Sequence, residues 1–305
     1  MAARWATRGL LVGITLTWGF SFTAIKLALT EVPPGALTFY RFLFGSLAFV
    51  VAVLVMRARA LAYTRRDWLV ILAMAATGMA AYHWALNWGE QHITPAAAAL
   101  LVATNPLITY LISTTTGAER ADRWRIGGVL LAFGGAALVI RFGDADAEFG
   151  VRSLVGALVT MIAPISWSVY TVIGKGVSRR HDPVLTMAII TWLGTLLVVP
   201  ALLVDPVEVR AVSFQVWLAV AYLGVLSSGA AYLGWMYCLR TMEPTEVSAS
   251  IYLVPIFAVT WDLMLLGTRP LPLFYVGALL VLVGLTLAHR AARRRMRMDA
   301  PPVAE

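Results

Sequence analysis

Ten runs of about twenty apolar residues follow one another along this chain, and only short connections separate them. An α-helix rises 1.5 Å per residue, so about 20 apolar residues cross the roughly 30 Å hydrocarbon core of a bilayer. The runs predict spans near 9–30, 34–56, 68–89, 95–116, 126–142, 153–176, 184–204, 214–239, 245–267 and 272–290. Composition agrees: 60% of the residues are hydrophobic, 13% are charged and the mean hydropathy is +0.79. A soluble domain carries about 25% charged residues. The expected class is an all-α integral membrane protein, with the lipid bilayer as its solvent.

The net charge of +8 does not point to nucleic acid, because the basic residues stand in clusters between the apolar runs. With a cytoplasmic N-terminus, 18 of the 24 Lys and Arg residues fall at inner ends of spans, among them Arg4, Arg8, Arg57, Arg65, Arg123, Arg179 and Arg240. The outer ends hold Arg141, Arg152, Arg210 and Arg269. Loops rich in Lys and Arg stay in the cytoplasm, so both termini of a ten-span chain lie there and the acidic stretch Asp144, Asp146, Glu148 lies outside. This is the pattern of a multi-pass protein of the bacterial inner membrane. The first run is apolar to Lys26 and has no clear small-residue cleavage site, so it reads as a helix and not as a signal peptide. Cys238 is the single cysteine, which leaves no intramolecular disulfide.

Shifted by 149 residues, the chain matches itself without gaps. Trp18 falls on Trp167, Pro34 on Pro183, Trp68 on Trp217, Pro95 on Pro244, Pro106 on Pro255, and Gly128 and Gly135 on Gly277 and Gly284. The two lysines of the chain, Lys26 and Lys175, also coincide. Rare residues decide here, since leucine and alanine match by chance. The shift divides the chain into a first half, 1–149, a second half, 150–292, and a basic then disordered cytoplasmic tail, 293–305. Five helices per half is an odd number, so the second half enters the membrane upside down. Inverted-topology repeats are a recurrent construction of secondary transporters, with the substrate near the midplane where the halves meet.

The run TWGFSFTAIKLAL around Trp18, PPGALTFYRFLFGSLAF around Arg41 and PAAAALLVATNPLITYLISTTTGAERADRWRIGGVLLAFGGAALV resemble an EamA-type member of the drug/metabolite transporter superfamily. The resemblance covers residues 9–290. It implies ten helices around a central cavity and the export of small metabolites, often amino acids. The Gly-Glu that closes the fourth helix in many relatives appears here as Gly117-Ala118-Glu119. In the second half it becomes Gly267-Thr268, and the Arg41 position becomes Ile190.

Ionisable groups inside spans are costly and mark function by default. His83, Asn87 and Glu90 share one face of the third span, with Tyr82 beside them; Tyr232 is the shift mate of His83. Trp18 and Ser21 share a face of the first span, Trp167 and Tyr170 of the sixth. Aromatic pairs of this kind hold apolar or aromatic groups, and amines by cation–π contact; the alternative is plain packing. Pro106 and Pro255 interrupt corresponding helices, which points to a binding site there. Thr104 and Asn105 precede Pro106, and Tyr252 precedes Pro255; a structural kink is the alternative. Lys26, Arg41, Glu90 and Asp262 map to the outer third of the membrane as gating ion pairs, and Lys175 with Glu243 and Glu246 to the inner side. Asp262 and His83 are the candidate proton carriers.

No Walker loop, HExxH, Cys/His cluster or Gly-x-Ser-x-Gly elbow occurs. These absences predict no metal, no cofactor and no catalytic set, hence no enzyme. The leading expectation is a secondary transporter or facilitator that exports small amphipathic metabolites by alternating access, amino acids with aromatic or apolar side chains first. Drugs or nucleosides are the alternative cargo; an intramembrane enzyme or a non-transporting scaffold is the alternative class. Small residues at Gly127, Gly128, Gly134 and Gly135, and at Gly277 and Gly284, permit close helix contact in lipid, so the fifth and tenth spans read as packing or homodimer-facing elements and not as cavity walls.

Overall fold

The computed structural model describes residues 2–58, 62–89, 91–92, 101–142, 154–266 and 270–298, and their regular structure is helical throughout. The elements are α1 (Ala2–Ala28), α2 (Pro34–Val55), α3 (Arg65–Gly89), α4 (Asn105–Thr115), α5 (Arg123–Phe142), α6 (Leu154–Arg180), α7 (Pro183–Val204), α8 (Phe214–Thr241), α9 (Pro244–Ala249), α10 (Leu253–Leu266) and α11 (Pro272–Met298). Seven of them (α1, α2, α3, α5, α6, α7 and α8) are long and apolar enough to cross a membrane, and the apolar part of α11, Pro272–Ala288, is shorter.

Two of the ten expected spans are not continuous helices. Of 95–116, residues 101–116 are described, and α4 starts afresh at Asn105 after a turn at Thr104. The expected 245–267 is split into α9, a 3-10 turn at Ser250–Tyr252, and α10. Proline has no N–H and a fixed φ, so it breaks a helix interior but suits a first turn. Pro106 and Pro255 both stand in first turns.

The third and eighth spans differ in another way. Both contain a π-helical segment, Ala75–Ala81 in α3 and Leu223–Ala230 in α8. The 149-residue shift carries one onto the other to within a residue. Small residues line both turns and let neighbours come close. A Cβ on Gly224 would lie 2.4 Å from the carbonyl oxygen of Arg41, and one on Gly78 would lie 2.3 Å from a ring carbon of Tyr170.

In lipid, helices associate through close packing more than through burial of apolar surface. The α5–α11 pair shows this. A Cβ on Gly128 would come within 2.7 Å of the Gly284 carbonyl, and one on Gly135 within 2.6 Å of the Gly277 carbonyl. The same shift exchanges these two contacts. α2 packs on α7, where Ser46 Oγ meets Thr195 Oγ1 at 2.8 Å. α2 also packs on the π turn of α8, and α7 on that of α3; α1 packs on α10 and α8, and α6 on α4 and α3. Leu130, Leu279 and Leu282 stay exposed on the outside of α5 and α11.

Ion pairs tie several helix ends together. Asp67 closes a capping box with Thr64 at the start of α3 and accepts from Arg180 Nη2 at 2.6 Å. Glu119 is ion-paired with Arg125, and its other oxygen accepts from the backbone N–H of Thr245 at 2.9 Å. Arg8 stands 3.6 Å from Glu246.

Candidate functional site

A partly open cavity lies between the halves. Its walls come from both halves. α1 contributes Trp18 and Ser21, α3 contributes Tyr82 and His83, α4 contributes Asn105, α6 contributes Trp167 and α8 contributes Tyr232. All seven were expected from the sequence.

The floor is aromatic. Trp18 meets Trp167 edge-on at 5.5 Å between centroids and Tyr232 at 6.0 Å. Such arrangements set the positive rim of one ring against the negative face of the next. His83 Nε2 and Tyr232 Oη are 2.7 Å apart, and Phe42 covers the imidazole edge-on. Among the described residues, Nδ1 of His83 has no hydrogen-bond partner. Trp18 with Trp167, and His83 with Tyr232, are shift mates, so both pairs meet their own counterparts here. Asn105 is fixed by donating to the Pro164 carbonyl at 3.0 Å and to Ser168 Oγ at 2.9 Å. The first bond uses a carbonyl of α6.

Four expected residues do not line the cavity. Tyr170 is fully buried behind Trp167, stacked on it at 4.8 Å, and donates to Met187 Sδ at 3.3 Å. Gly78 has no side chain, so the ring slides against the α3 backbone instead of turning inward. Tyr252 leaves through the 3-10 turn and is buried beside Phe133. Asn87 stands one turn beyond His83, where α2 crosses, and donates to Thr38 Oγ1 at 2.8 Å. Thr104 folds back on its own turn, donating to the Leu101 carbonyl at 2.6 Å.

Of the expected ion-pair residues, Lys175 is paired with Glu243 and Lys26 is exposed. Glu90 and the side chain of Asp262 lie outside the described residues. Arg41, expected at an outer gate, is buried in the cavity wall. Its Nε donates to Ser228 Oγ at 2.6 Å and its Nη2 to Ser227 Oγ at 2.9 Å. The sequence reading missed both serines. Their signal is a Ser-Ser-Gly run inside an otherwise apolar span. Among the described residues, no group of His, Cys, Asp and Glu is placed to hold a metal ion.

Comparison with known proteins agrees with this architecture. The profile of the EamA-like transporter family matches twice, over residues 7–141 and 154–289. A protein of Streptantibioticus cattleyicolor described as a "probable terminal-alkyne amino-acid exporter" is 31% identical over 96% of this chain and 96% of its own. A "probable amino-acid metabolite efflux pump" of Escherichia coli is 23% identical over 89% of this chain and 91% of its own. A crystal structure with 22% sequence identity superimposes with a TM-score of 0.79 over 97% of this chain and 99% of its own, a likeness of fold.

Proposed function

Because the chain belongs to the EamA-like transporter family and so is a multi-pass membrane transporter and not an enzyme, we propose that it exports small amphipathic metabolites by alternating access, amino acids with apolar or aromatic side chains first among them. The carrying observation is the aromatic-floored cavity between the halves, where Trp18 meets Trp167 and His83 meets Tyr232. The relatives named for amino-acid export support the cargo.

In this reading the halves are inverted five-helix repeats. Residues touch their own shift mates where a two-fold axis passes between them, and Ser46 with Thr195 adds a third such pair. The Arg-rich end is cytoplasmic, both termini lie there, and the membrane is the bacterial inner one. Proton coupling through His83, with Asp262, and assembly as a homodimer belong to the same proposal.

Liposomes containing the purified protein test it, with labelled amino acids supplied with and without a proton gradient. Saturable uptake lost in Trp167→Ala and His83→Ala supports the carrier and its cavity. Uptake with the same pH dependence in wild type, His83→Ala and Asp262→Asn removes the proton coupling. No uptake of any amino acid by folded protein overturns the cargo and turns the search to nucleosides and drugs.

A further inference from the structure

A π turn bonds each N–H to the fifth carbonyl back, and an α-helix to the fourth. Where the first gives way to the second, the backbone ladder passes over one carbonyl. In α8 the Ala231 N–H reaches the Leu226 carbonyl and the α ladder resumes at Ala231, so the carbonyl passed over is that of Ser227. Trp18 of α1 supplies a donor in its place: Nε1 donates to the Ser227 carbonyl at 3.0 Å. This bond ties the first half to the second beside the cavity.

The other side repeats the construction without the bond. In α3 the Tyr82 N–H reaches the Thr77 carbonyl and the α ladder resumes at Tyr82, so the carbonyl passed over is that of Gly78. The 149-residue shift carries Trp18 onto Trp167 and Ser227 onto Gly78. Trp167 is 3% exposed, and among the described residues its Nε1 has no hydrogen-bond partner. A buried indole N–H normally finds an acceptor, and leaving it without one costs free energy. The ring of Tyr170 lies against Gly78 and is stacked on Trp167. Its hydroxyl donates to the thioether of Met187, a weak acceptor, so packing does most to hold the ring there.

We propose that the two indoles exchange one hydrogen bond when the protein changes state. With the cavity side open, as in this structure, Trp18 holds the Ser227 carbonyl and Trp167 is unbonded. With the plug side open, Trp167 donates to the Gly78 carbonyl and Trp18 releases Ser227. Trp18 and Trp167 are then positioning residues of opposite sign, each favouring the state in which its own side is open. The exchange rests on the alternating-access reading, and it names the contacts that tell the two states apart.

Benzothienylalanine has the outline of tryptophan with sulfur in place of the indole N–H. Placed at position 18 or at position 167 of the full-length protein, it removes one donor and keeps the packing. The reporter is Ile190→Cys, fully buried in the plug, made together with Cys238→Ala because Cys238 is the single native cysteine. Its labelling by a charged, water-soluble maleimide in lipid nanodiscs reads how often the plug side opens. The change at 18 should speed labelling about three- to tenfold, the worth of one buried hydrogen bond. The change at 167 should slow it by a similar factor and leave thermal unfolding unchanged, because that N–H has no bond to lose in this structure. Equal rates with and without the two changes overturn the exchange and leave alternating access standing. So does a shift of the same sign at both positions, which is what lost packing alone gives. If the protein changed at 18 does not fold, position 167 decides alone, with slower labelling for the exchange and an equal or faster rate against it. No labelling of Ile190→Cys in any of the proteins removes alternating access itself, and the exchange with it.

Discussion

The cavity and the region onto which the 149-residue shift maps it have matching backbones and opposite contents. On the cavity side, α2 lays Arg41 over Ser227 and Ser228 on the π turn of α8. On the other side, α7 lays Ile190 over the π turn of α3, where Gly78 and Met79 replace the serines. The small Ser21 corresponds to Tyr170, whose ring fills the space against Gly78, and Met79 packs on Gly194. Met74, Met187 and Trp235 complete a fully buried plug. The repeat therefore supplies a scaffold that can enclose a cavity on either side, and the side chains decide which side is filled. The plug is rich in methionine, whose unbranched chain repacks readily. Under the proposed alternating access that side opens in turn, and a filling of this kind suits it.

The strongest way to break the comparison is to give the filled side the charge of the open one. Ile190 is fully buried in the plug, and Ile190→Arg puts a guanidinium among methionine and aromatic side chains. An uncompensated buried charge costs several kcal/mol, about 3–5 where a partner is lacking. The variant is expected to lose most of its folded yield, whereas Arg41→Ile remains foldable. Thermal unfolding of the two purified variants measures this, and an Ile190→Arg protein as stable as wild type would mean that the plug is already open to water.

A second asymmetry lies at the Arg-rich end. Glu119 holds Arg125 and also receives the N–H of Thr245 at the start of α9. The shift maps Arg125 onto Phe274, so the second half has no such pair. Both side chains are buried, 7% and 2% exposed. Glu119→Gln strands a buried guanidinium and should cost about 3 kcal/mol or more. Adding Arg125→Met should return part of that, because two matched apolar groups avoid the cost of one unpaired charge. A double variant less stable than the single one would show that Arg125 has a further role.

Much of this was legible before any coordinates. Hydropathy alone finds the long helices, because lipid leaves the backbone no other partner than itself. Trp18, Trp167, His83 and Asn105 stood out as rare residues in apolar spans, and all four line the cavity. What stayed hidden has one physical origin. Whether a turn closes to the fourth or the fifth preceding carbonyl is not written in hydropathy, so the π turns were invisible and with them Ser227 and Ser228. Helical phase also misplaced Tyr170 and Tyr252. The first was drawn aside by the gap at Gly78, and the second was turned outward by the 3-10 break before Pro255.

Glycine substitutions sharpen the point at smaller scale. Gly78→Ala drives a Cβ into the buried ring of Tyr170. Overpacking of this kind costs about 1–3 kcal/mol. Gly134→Ala, on the same half and also helical, meets nothing within 4 Å and should stay within about 0.5 kcal/mol of wild type. Equal unfolding temperatures for the two variants would show that Tyr170 is free to leave its place, and that the plug is looser than its burial suggests.

The smallest effect tests what keeps the plug end closed. Arg8 and Glu246 join the two halves there at 3.6 Å, but the arginine side chain is 26% exposed. Exposed pairs contribute about 0–1 kcal/mol and are screened by salt. Arg8→Gln should therefore lower stability by less than about 1 kcal/mol in low salt and by almost nothing in high salt. Unfolding of wild type and variant at two ionic strengths measures the difference. A larger loss that salt abolishes would move the explanation of closure from the methionine and aromatic packing around Ile190 to the charges that cross between the halves.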